Sequence, residues 1–237
     1  MSCYQALASF YDRLTADVDY SRFADRYEQA FREDGGSFHL LLDLCCGTGS
    51  LSRVMSERGY ELISVDASEE MLMEAREKCS DLPVPPLFLQ QDVSELDLYG
   101  TVDAAYCSLE GVNYLSPEDT SALFRRLKHF IRSGGLLMFD LRSPEYLEAL
   151  DGDTFVDEDD DFLCLWRADY DPELPALVYG MDLFSREGRL WKRSREEHIE
   201  YAHSVGQLSA LLEANGFHLP SVTEEDDRLH FLSIRLE

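Results

Sequence analysis

The chain has 237 residues, of which 45% are hydrophobic, and this content is ordinary for a globular protein with a sizeable core. Its formal net charge of −26 at pH 7 would repel a phosphate backbone, so a nucleic-acid partner is disfavoured. The cysteines form no CxxC pair, which disfavours a metal site. No apolar run is long enough to span a membrane, and the N-terminus has no signal-peptide pattern, so we expect the protein in the cytoplasm.

The N-terminal segment, residues 1–36, carries apolar and aromatic side chains at helical spacing. It predicts two short helices broken around Asp17–Tyr20, which we interpret as a helical cover. The next stretch, Leu40–Ser52, combines an apolar run with Asp43 and a turn that contains glycine. Such an apolar run suits a strand buried on both faces, and the glycine turn lets the backbone approach a ligand closely.

Strand-like and helix-like segments then alternate along the chain. The predicted strands are Glu61–Val65, Leu87–Gln91, Val102–Cys107 and Leu136–Leu141, and the predicted helices are Leu51–Arg58, a segment capped by Ser68, and a segment from Ser116 to the glycine pair Gly134 and Gly135. This alternation implies a parallel sheet with helices on both faces and a ligand site at the carboxyl ends of the strands. Asp66 and Asp92 end the second and third strands, so we expect both carboxylates at that site.

Residues 143–202 break this alternation. Three strand-like segments predict an antiparallel sheet there: Phe162–Arg167, Ala176–Arg186 and Leu190–Tyr201. The acidic run Asp151–Asp161 lacks the ligand, glycine and glutamate positions of an EF-hand, so we expect a solvated, mobile loop. We interpret the whole insertion as a lid over the ligand site.

The alternating pattern resumes after the insertion. It predicts a helix over Val205–Ala214 and two strands, Phe217–Val222 and Leu229–Leu236. We therefore divide the chain into a main domain, residues 1–142 and 203–237, and the inserted lid, residues 143–202.

One face of the last lid strand has two possible roles. By alternation it holds Trp191, Arg193, Arg195, Glu197, Ile199 and Tyr201. The interpretation that we favour is a solvated outer face. The alternative is that its two arginines receive an acidic or aromatic substrate.

Several of these motifs together resemble the class I S-adenosylmethionine-dependent methyltransferases. They are the run Asp43-Leu-Cys-Cys-Gly47-Thr-Gly49, Asp66 at the end of the second strand, Gln91-Asp92-Val93 at the end of the third, and Leu211–Phe217 before the closing strands. Two further stretches, Tyr11–Leu14 and Ser108–Leu115, resemble bacterial small-molecule methyltransferases with a lid inserted after the fifth strand. The resemblance implies an α/β, Rossmann-like, doubly wound fold with a mostly parallel seven-stranded sheet and an antiparallel β lid.

The resemblance implies S-adenosylmethionine as the cofactor, bound at the strand ends. It assigns the methionine ammonium to Asp43, the ribose hydroxyls to Asp66 and the adenine amino group to Asp92. The implied cofactor residues are Tyr11, Asp43, Cys45, Gly47, Gly49, Asp66, Ala67, Met71, Asp92, Val93 and Cys107. Simpler interpretations stay open, with Asp92 as a turn residue and Met71 as an ordinary core residue.

The implied activity is methyl transfer to a small molecule. No catalytic residue is assigned, because a sulfonium methyl group is already activated and the protein needs mainly to align the reactants. The candidate substrate residues are Glu110, Asn113, Tyr114 and Arg142, near predicted strand ends. Alternatives are a regulatory module that binds the cofactor without turnover, and a tRNA or protein methyltransferase. A nicotinamide dehydrogenase is disfavoured because Ser52 stands where its G-x-G-x-x-G fingerprint has a third glycine.

Overall fold

The computed structural model describes residues 4, 7–218, 220–225 and 227–236. The helices are α1 (Ala8–Leu14), α2 (Tyr20–Asp34), α3 (Ser50–Glu57), α4 (Glu69–Lys78), α5 (Pro117–Phe130), α6 (Pro144–Ala149) and α7 (Val205–Ala214). The strands are β1 (Leu40–Leu44), β2 (Glu61–Asp66), β3 (Leu87–Gln90), β4 (Val102–Cys107), β5 (Ile131–Leu141), β6 (Thr154–Asp159), β7 (Phe162–Asp171), β8 (Ala176–Glu187), β9 (Leu190–Tyr201), β10 (Ser221–Glu225) and β11 (Arg228–Ile234). In this part of the chain, no helix has both the length and the apolarity to cross a membrane.

Seven strands form one sheet in the order β10-β11-β5-β4-β1-β2-β3. Strands β1 to β5 are parallel to one another, whereas β11 runs antiparallel to both β5 and β10. The carboxyl ends of β1 to β5 therefore meet at one edge of the sheet, where open α/β sheets bind ligands. The predicted α/β fold with a mostly parallel seven-stranded sheet is confirmed.

Strand β1 explains why helices cover both faces of this sheet. Its side chains alternate, so Leu41 packs with α2 and α3 on one face, while Leu42 and Leu44 pack with α5 and α7 on the other. These three leucines are at most 1% exposed. Each contributes roughly 2 kcal/mol of hydrophobic stabilisation, and the strand that precedes the glycine turn is therefore held rigidly.

A second, antiparallel sheet follows the main one, in the order β6-β7-β8-β9. Its inner face packs on the N-terminal helix: Leu7 is buried with Phe162, Cys164 and Leu183 in one apolar cluster. The ring of Phe10 stacks on that of Phe162, with centroids 4.2 Å apart. The N-terminal cover and the lid therefore pack directly against each other. The division into a main domain and an inserted lid stays a prediction.

The structure corrects the predicted loop in the acidic run. Residues Thr154–Asp159 form β6, because their backbone pairs with β7 from Thr154 opposite Arg167 to Asp159 opposite Phe162. The side chains of β6 are exposed, so the acidic residues remain solvated although the backbone is ordered into a sheet.

Two element boundaries also differ from the predictions, and one helix was not predicted. The glycines at 134 and 135 do not end α5 but lie inside β5, which begins at Ile131. Residue Phe217 makes only an isolated bridge to Arg235, so β10 begins at Ser221 instead. Helix α6 has no predicted counterpart; the Ser143 side chain caps it by accepting a hydrogen bond from the Tyr146 amide at 3.1 Å.

Candidate functional site

A cavity of about 460 Å³ lies at the carboxyl ends of the parallel strands. It is bounded by the ends of β1 and β2, the turns after β3 and β4, and the N-terminal segment. The lining residues are Tyr4, Tyr11, Tyr20, Asp43, Cys45, Cys46, Gly47, Thr48, Ser50, Leu51, Asp66, Ala67, Ser68, Met71, Asp92, Val93, Ser108, Leu109, Gly111, Tyr114 and Leu115. Three aspartates and four tyrosines give this lining an acidic and aromatic character.

Asp43 is a buried carboxylate at the end of β1, with 3% of its surface exposed. Its carboxylate accepts a hydrogen bond from the Ser52 hydroxyl. Burial raises the pKa of Asp43 to about 7, although the Ser52 hydrogen bond opposes this shift. A carboxylate enclosed with one neutral donor is poorly compensated, so a cationic ligand group would stabilise its ionised form.

Asp66, at the end of β2, fixes the glycine turn in place. Its Oδ2 accepts a hydrogen bond from the Gly47 amide at 2.8 Å, and its Oδ1 accepts one from the Ser68 amide at 2.9 Å. Burial raises the pKa of this carboxyl group, and the backbone hydrogen bonds oppose the shift. Each carboxylate oxygen has two lone pairs, so both oxygens retain the capacity to accept from a ligand.

The two turn glycines serve different purposes. Both have left-handed backbones, with φ of +54° at Gly47 and +72° at Gly49. A Cβ on Gly49 would lie 2.9 Å from the Ala75 Cβ, so this glycine permits α4 to pack closely. A Cβ on Gly47 would meet only the Tyr11 ring, at 4.0 Å. Gly47 therefore faces the cavity, whereas Gly49 serves the packing of α4.

A polar cluster joins the N-terminal cover to the start of α3. The Thr48 hydroxyl and the Lys78 ammonium both donate to Asp12 Oδ1, at 2.6 Å and 2.7 Å. Lys78 Nζ also donates to the Ser50 hydroxyl at 2.6 Å. This cluster, which we call the Asp12 latch, holds α1 over the cavity, and the sequence patterns did not predict it.

The third strand end is more open than the first two. The Asp92 carboxylate accepts a hydrogen bond from the Ser94 amide at 2.8 Å and so caps the short turn Val93–Glu95. Its side chain nevertheless lines the cavity together with Val93. Met71 lines the cavity from α4 and is 1% exposed. Asp92 is therefore both a turn residue and a cavity-lining residue, and Met71 is both a buried residue and a cavity-lining residue.

The structure brings most of the predicted cofactor residues to the cavity wall, and Gly49 and Cys107 lie behind it. Of the candidate substrate residues, Tyr114 alone is on the wall. Asn113 is fully buried and bonds backbone groups: its Oδ1 accepts from the Arg142 amide and its Nδ2 donates to the Tyr201 carbonyl. Glu110 pairs with Arg228 on the far side of the β4 turn.

The sequence patterns missed an aromatic row across the cavity. The Tyr4 ring lies edge-on to the Tyr11 ring, with centroids 5.8 Å apart, and is also 5.8 Å from the Tyr114 ring. They also gave no role to Glu200, a carboxyl group of β9 that is 6% exposed and whose pKa burial raises to about 7. Alternation in β9 was the available signal, because it sets Glu196, His198 and Glu200 on the face opposite to Arg193 and Arg195.

The described residues contain no group of three or more His, Cys, Asp or Glu side chains arranged to hold a metal ion. The described cysteines Cys45, Cys46, Cys79, Cys107 and Cys164 are free thiols.

Comparisons with known proteins agree with this site. A family profile described as "Methyltransferase domain" matches residues 41–135, which include the strand ends around the cavity. The putative methyltransferase YqeM of Bacillus subtilis (strain 168) is 32% identical over 225 residues, covering 94% of this chain and 89% of that protein.

Two solved structures share the whole architecture. An S-adenosylmethionine-dependent methyltransferase from Clostridium acetobutylicum is 27% identical, with a TM-score of 0.85 and complete (100%) coverage of both chains. The sugar N-methyltransferase KedS8 from Streptoalloteichus is 21% identical, with a TM-score of 0.84, and covers 100% of this chain and 95% of its own. At this identity the second likeness concerns the fold alone.

Proposed function

The chain belongs to the class I S-adenosylmethionine-dependent methyltransferases, and on that premise we propose that its cavity binds the donor along β1 to β3 and a small-molecule acceptor under the antiparallel lid. S-adenosylmethionine is the cofactor of this family and supplies an activated methyl group when bound. The observation that carries the proposal is that carboxylates from three successive strand ends, Asp43, Asp66 and Asp92, line one enclosed cavity.

Each carboxylate suits a different part of the donor. Asp43 is buried and weakly compensated, which suits the methionine ammonium. Asp66 has free lone pairs for the ribose hydroxyls beside its two backbone donors. Asp92 is exposed towards the cavity and suits the adenine amino group, next to the Val93 amide.

The remaining predicted cofactor residues shape the pocket around these polar contacts. Gly47 leaves room for the donor, Met71 offers an apolar surface to the adenine, and the Tyr11 ring covers the cavity above Gly47. Cys45 and Ala67 line the wall, and Gly49 and Cys107 support it from behind.

The protein contributes alignment and exclusion of water to the displacement. The strand ends fix the donor, and Tyr11 of α1 covers the cavity above Gly47. A small acceptor is supported by the enclosure and by the absence of Lys and Arg among the described lining residues, since a tRNA substrate needs cations near the site. The free cysteines support a reducing compartment such as the cytoplasm.

The donor role is tested by Asp66→Ala, with S-adenosylmethionine binding measured by calorimetry. Loss of two hydrogen bonds to a charged acceptor costs roughly 3 kcal/mol, so we expect the Kd to rise about 100-fold. The variant Glu95→Ala is the control, because this exposed carboxylate lies outside the cavity lining. Unchanged affinity in folded Asp66→Ala protein refutes the ribose role. Formation of S-adenosylhomocysteine with small acceptors separates an enzyme from a regulatory module that only binds the cofactor.

A further inference from the structure

The inserted segment, residues 143–202, contacts the N-terminal segment and not the cavity itself. The described residues that line the cavity all lie between Tyr4 and Leu115 in the chain, so none of them belongs to the inserted segment. That segment packs instead on the start of the chain, where Leu7 is buried with apolar side chains of β7 and β8. It can therefore act on the cavity wall through the N-terminal residues that it holds in place.

A buried carboxylate of β9 holds the N-terminal backbone at two points. Glu196 has only 7% of its side chain exposed. Its Oε2 accepts a hydrogen bond from the Tyr4 amide at 3.0 Å, and its Oε1 accepts one from the Leu7 amide at 3.2 Å. Leu7 directly precedes α1, a helix that has no side-chain cap of its own. One side chain of β9 thus fixes both the start of α1 and a residue of the cavity wall.

His198, two residues further along β9, supports the same contact. It is 1% exposed, and its Nε2 lies 3.0 Å from Glu196 Oε2. Its Nδ1 is buried without a hydrogen-bond partner among the described residues. A proton on Nε2, donated to Glu196, therefore leaves no buried donor unsatisfied. The His198 ring also meets the Tyr4 ring edge-on, with centroids 4.4 Å apart, so β9 holds both the backbone and the ring of Tyr4.

Tyr4 lies between two parts of the cavity wall. Its ring is 5.8 Å from the ring of Tyr11, which covers the turn at Gly47, and 5.8 Å from the ring of Tyr114, which follows β4. Aromatic rings at such separations attract each other, so the position of one influences the next. Tyr4 also has a left-handed backbone with φ of +68°, which in a non-glycine residue persists only where surrounding contacts impose it. The bonds to Glu196 provide such a contact.

We propose that Glu196 is a positioning residue for the donor site, because it holds Tyr4 in the cavity wall. This inference rests on the proposed function of the cavity. It deepens that function by giving the inserted sheet a part in binding S-adenosylmethionine, although the described lining contains no residue of that sheet. The Tyr4 ring supports Tyr11 over the turn at Gly47, so displacement of Tyr4 loosens the cover of the donor.

The contact itself is tested by amide hydrogen exchange of the full chain, followed by mass spectrometry. Glu196→Ala removes the acceptors of the Tyr4 and Leu7 amides. Peptides within residues 1–14 should therefore exchange at least about 10-fold faster than in the natural protein, whereas peptides that cover β1 should exchange at the natural rate. Unchanged exchange in the N-terminal peptides of the variant overturns the proposal.

The effect on the donor is tested by a double-mutant cycle, with the Kd of S-adenosylmethionine measured by calorimetry. Tyr4→Ala and Glu196→Ala should each raise the Kd about 10-fold, because each removes the Tyr4 ring from its place in the wall. The double variant should also show about a 10-fold rise, since Glu196 acts through Tyr4. A merely structural role of Glu196 predicts independent effects and about a 100-fold rise in the double variant, and that result overturns the proposal.

The conservative variant Glu196→Gln separates the hydrogen bond to Tyr4 from the charge of the carboxylate. Its single carbonyl oxygen can still accept from the Tyr4 amide, while the bond to the Leu7 amide is lost. We therefore expect the Kd of S-adenosylmethionine to rise by no more than about 3-fold. This variant also serves if Glu196→Ala does not fold. A loss of affinity in Glu196→Gln of 10-fold or more would contradict a role through the Tyr4 contact.

The matched control is Glu197→Ala, at the next position of the same strand, where the side chain is exposed. We expect the natural Kd and the natural exchange of the N-terminal peptides. A Kd within about 2-fold of the natural value in folded Glu196→Ala refutes the positioning role while the proposed function stands. Failure of the natural protein to bind S-adenosylmethionine would instead refute the proposed function, so the two failures are distinguishable.

Discussion

The two sheets enclose carboxylates in different ways. In the parallel sheet, Asp43 is buried beside the cavity with a neutral donor, and burial raises its pKa to about 7. In the antiparallel sheet, Asp182 is also little exposed, but it accepts hydrogen bonds from Arg167, Arg193 and Arg195. Burial opposes the effect of these arginines, yet together they lower the pKa of Asp182 to about 2. A buried carboxylate without a cationic protein partner indicates a ligand site, whereas the charge of a carboxylate bonded to arginines is already compensated by the protein.

The largest effect should come from the glycine turn that supports the parallel-sheet site. Gly49→Ala adds a Cβ 2.9 Å from Ala75 at a left-handed position, so strain and overpacking should cost roughly 3 kcal/mol. Gly47→Ala meets only Tyr11 at 4.0 Å and should cost about 1 kcal/mol of stability, while it weakens donor binding by intruding on the cavity. Urea denaturation and calorimetry measure the two quantities. Equal destabilisation by both substitutions would contradict the separate roles of the glycines.

A contrast in pH dependence should distinguish the two enclosed acids. Because its pKa is raised, Asp43 binds more protons in the folded state than in the unfolded state between about pH 4 and 7. This group therefore makes the free energy of unfolding fall as pH rises through that window. Asp43→Asn should therefore be more stable than the natural protein at pH 8, gain little at pH 4, and bind S-adenosylmethionine more weakly. Burial also raises the pKa of Asp140 to about 7, so the free energy of unfolding of Asp43→Asn should still fall somewhat as pH rises through the same window.

Asp182→Asn should show the opposite behaviour. The depressed pKa of Asp182 contributes stability above about pH 4 that is lost as pH falls towards 2, so the variant should be less stable than the natural protein at pH 8. Urea denaturation at pH 4 and pH 8 measures both variants. A stabilised Asp182→Asn, or an Asp43→Asn that is destabilised at pH 8, would reverse the contrast between the sheets.

A smaller effect is expected at the Asp12 latch. Its salt bridge with Lys78 is partly exposed, with 49% of the Asp12 side chain accessible, so its loss should cost about 1 kcal/mol at most. Asp12→Ala should release bound S-adenosylmethionine about 2- to 5-fold faster, because α1 is held less firmly over the cavity. Stopped-flow displacement measures the rate, with Asp17→Ala as an exposed control on the same segment. An unchanged release rate would mean that the latch does not limit donor exchange.

The smallest effect should come from the outer face of the lid. Arg193→Ala leaves Arg167 and Arg195 bonded to Asp182, so stability should change by less than about 0.5 kcal/mol and kcat by less than about 2-fold. Thermal unfolding and methyl-transfer assays measure these quantities. A 10-fold or larger loss of turnover would restore the alternative in which these arginines receive an acidic substrate.

The sequence predicted the part of the cavity wall at the strand ends far better than the part formed by the N-terminal segment. Asp43, Asp66 and Asp92 are predictable because each lies at or next to the end of a strand of a parallel sheet, and parallel strands end at a common edge. Tyr4 is distant in the chain from those strands, and it lies on the cavity wall with its amide bonded to Glu196 of β9. No local pattern encodes such contacts.

Prediction of secondary structure from local sequence also failed where backbone pairing overrides the preference of the side chains. The acidic run around Thr154–Asp159 has the composition of a loop, but β7 supplies hydrogen-bonding partners for its backbone. Likewise, β5 continues across the glycine pair because β4 pairs with it on both sides, with Val102 opposite Ile131 and Ala104 opposite Leu136 and an irregular register between them.

The sequence by itself determined the alternation of strands and helices and the acids at the strand ends, and the resemblance of its motifs to a known family indicated the methyl donor. These features depend on periodicity and turn chemistry, which are local properties of the chain. Only the tertiary structure decided which face of β9 points inward, which carboxylates lack a cationic partner, and that Tyr4 and Tyr11 lie on the cavity wall. Those properties depend on which distant residues share a buried volume, and burial sets both the pKa of an acid and its need for a ligand.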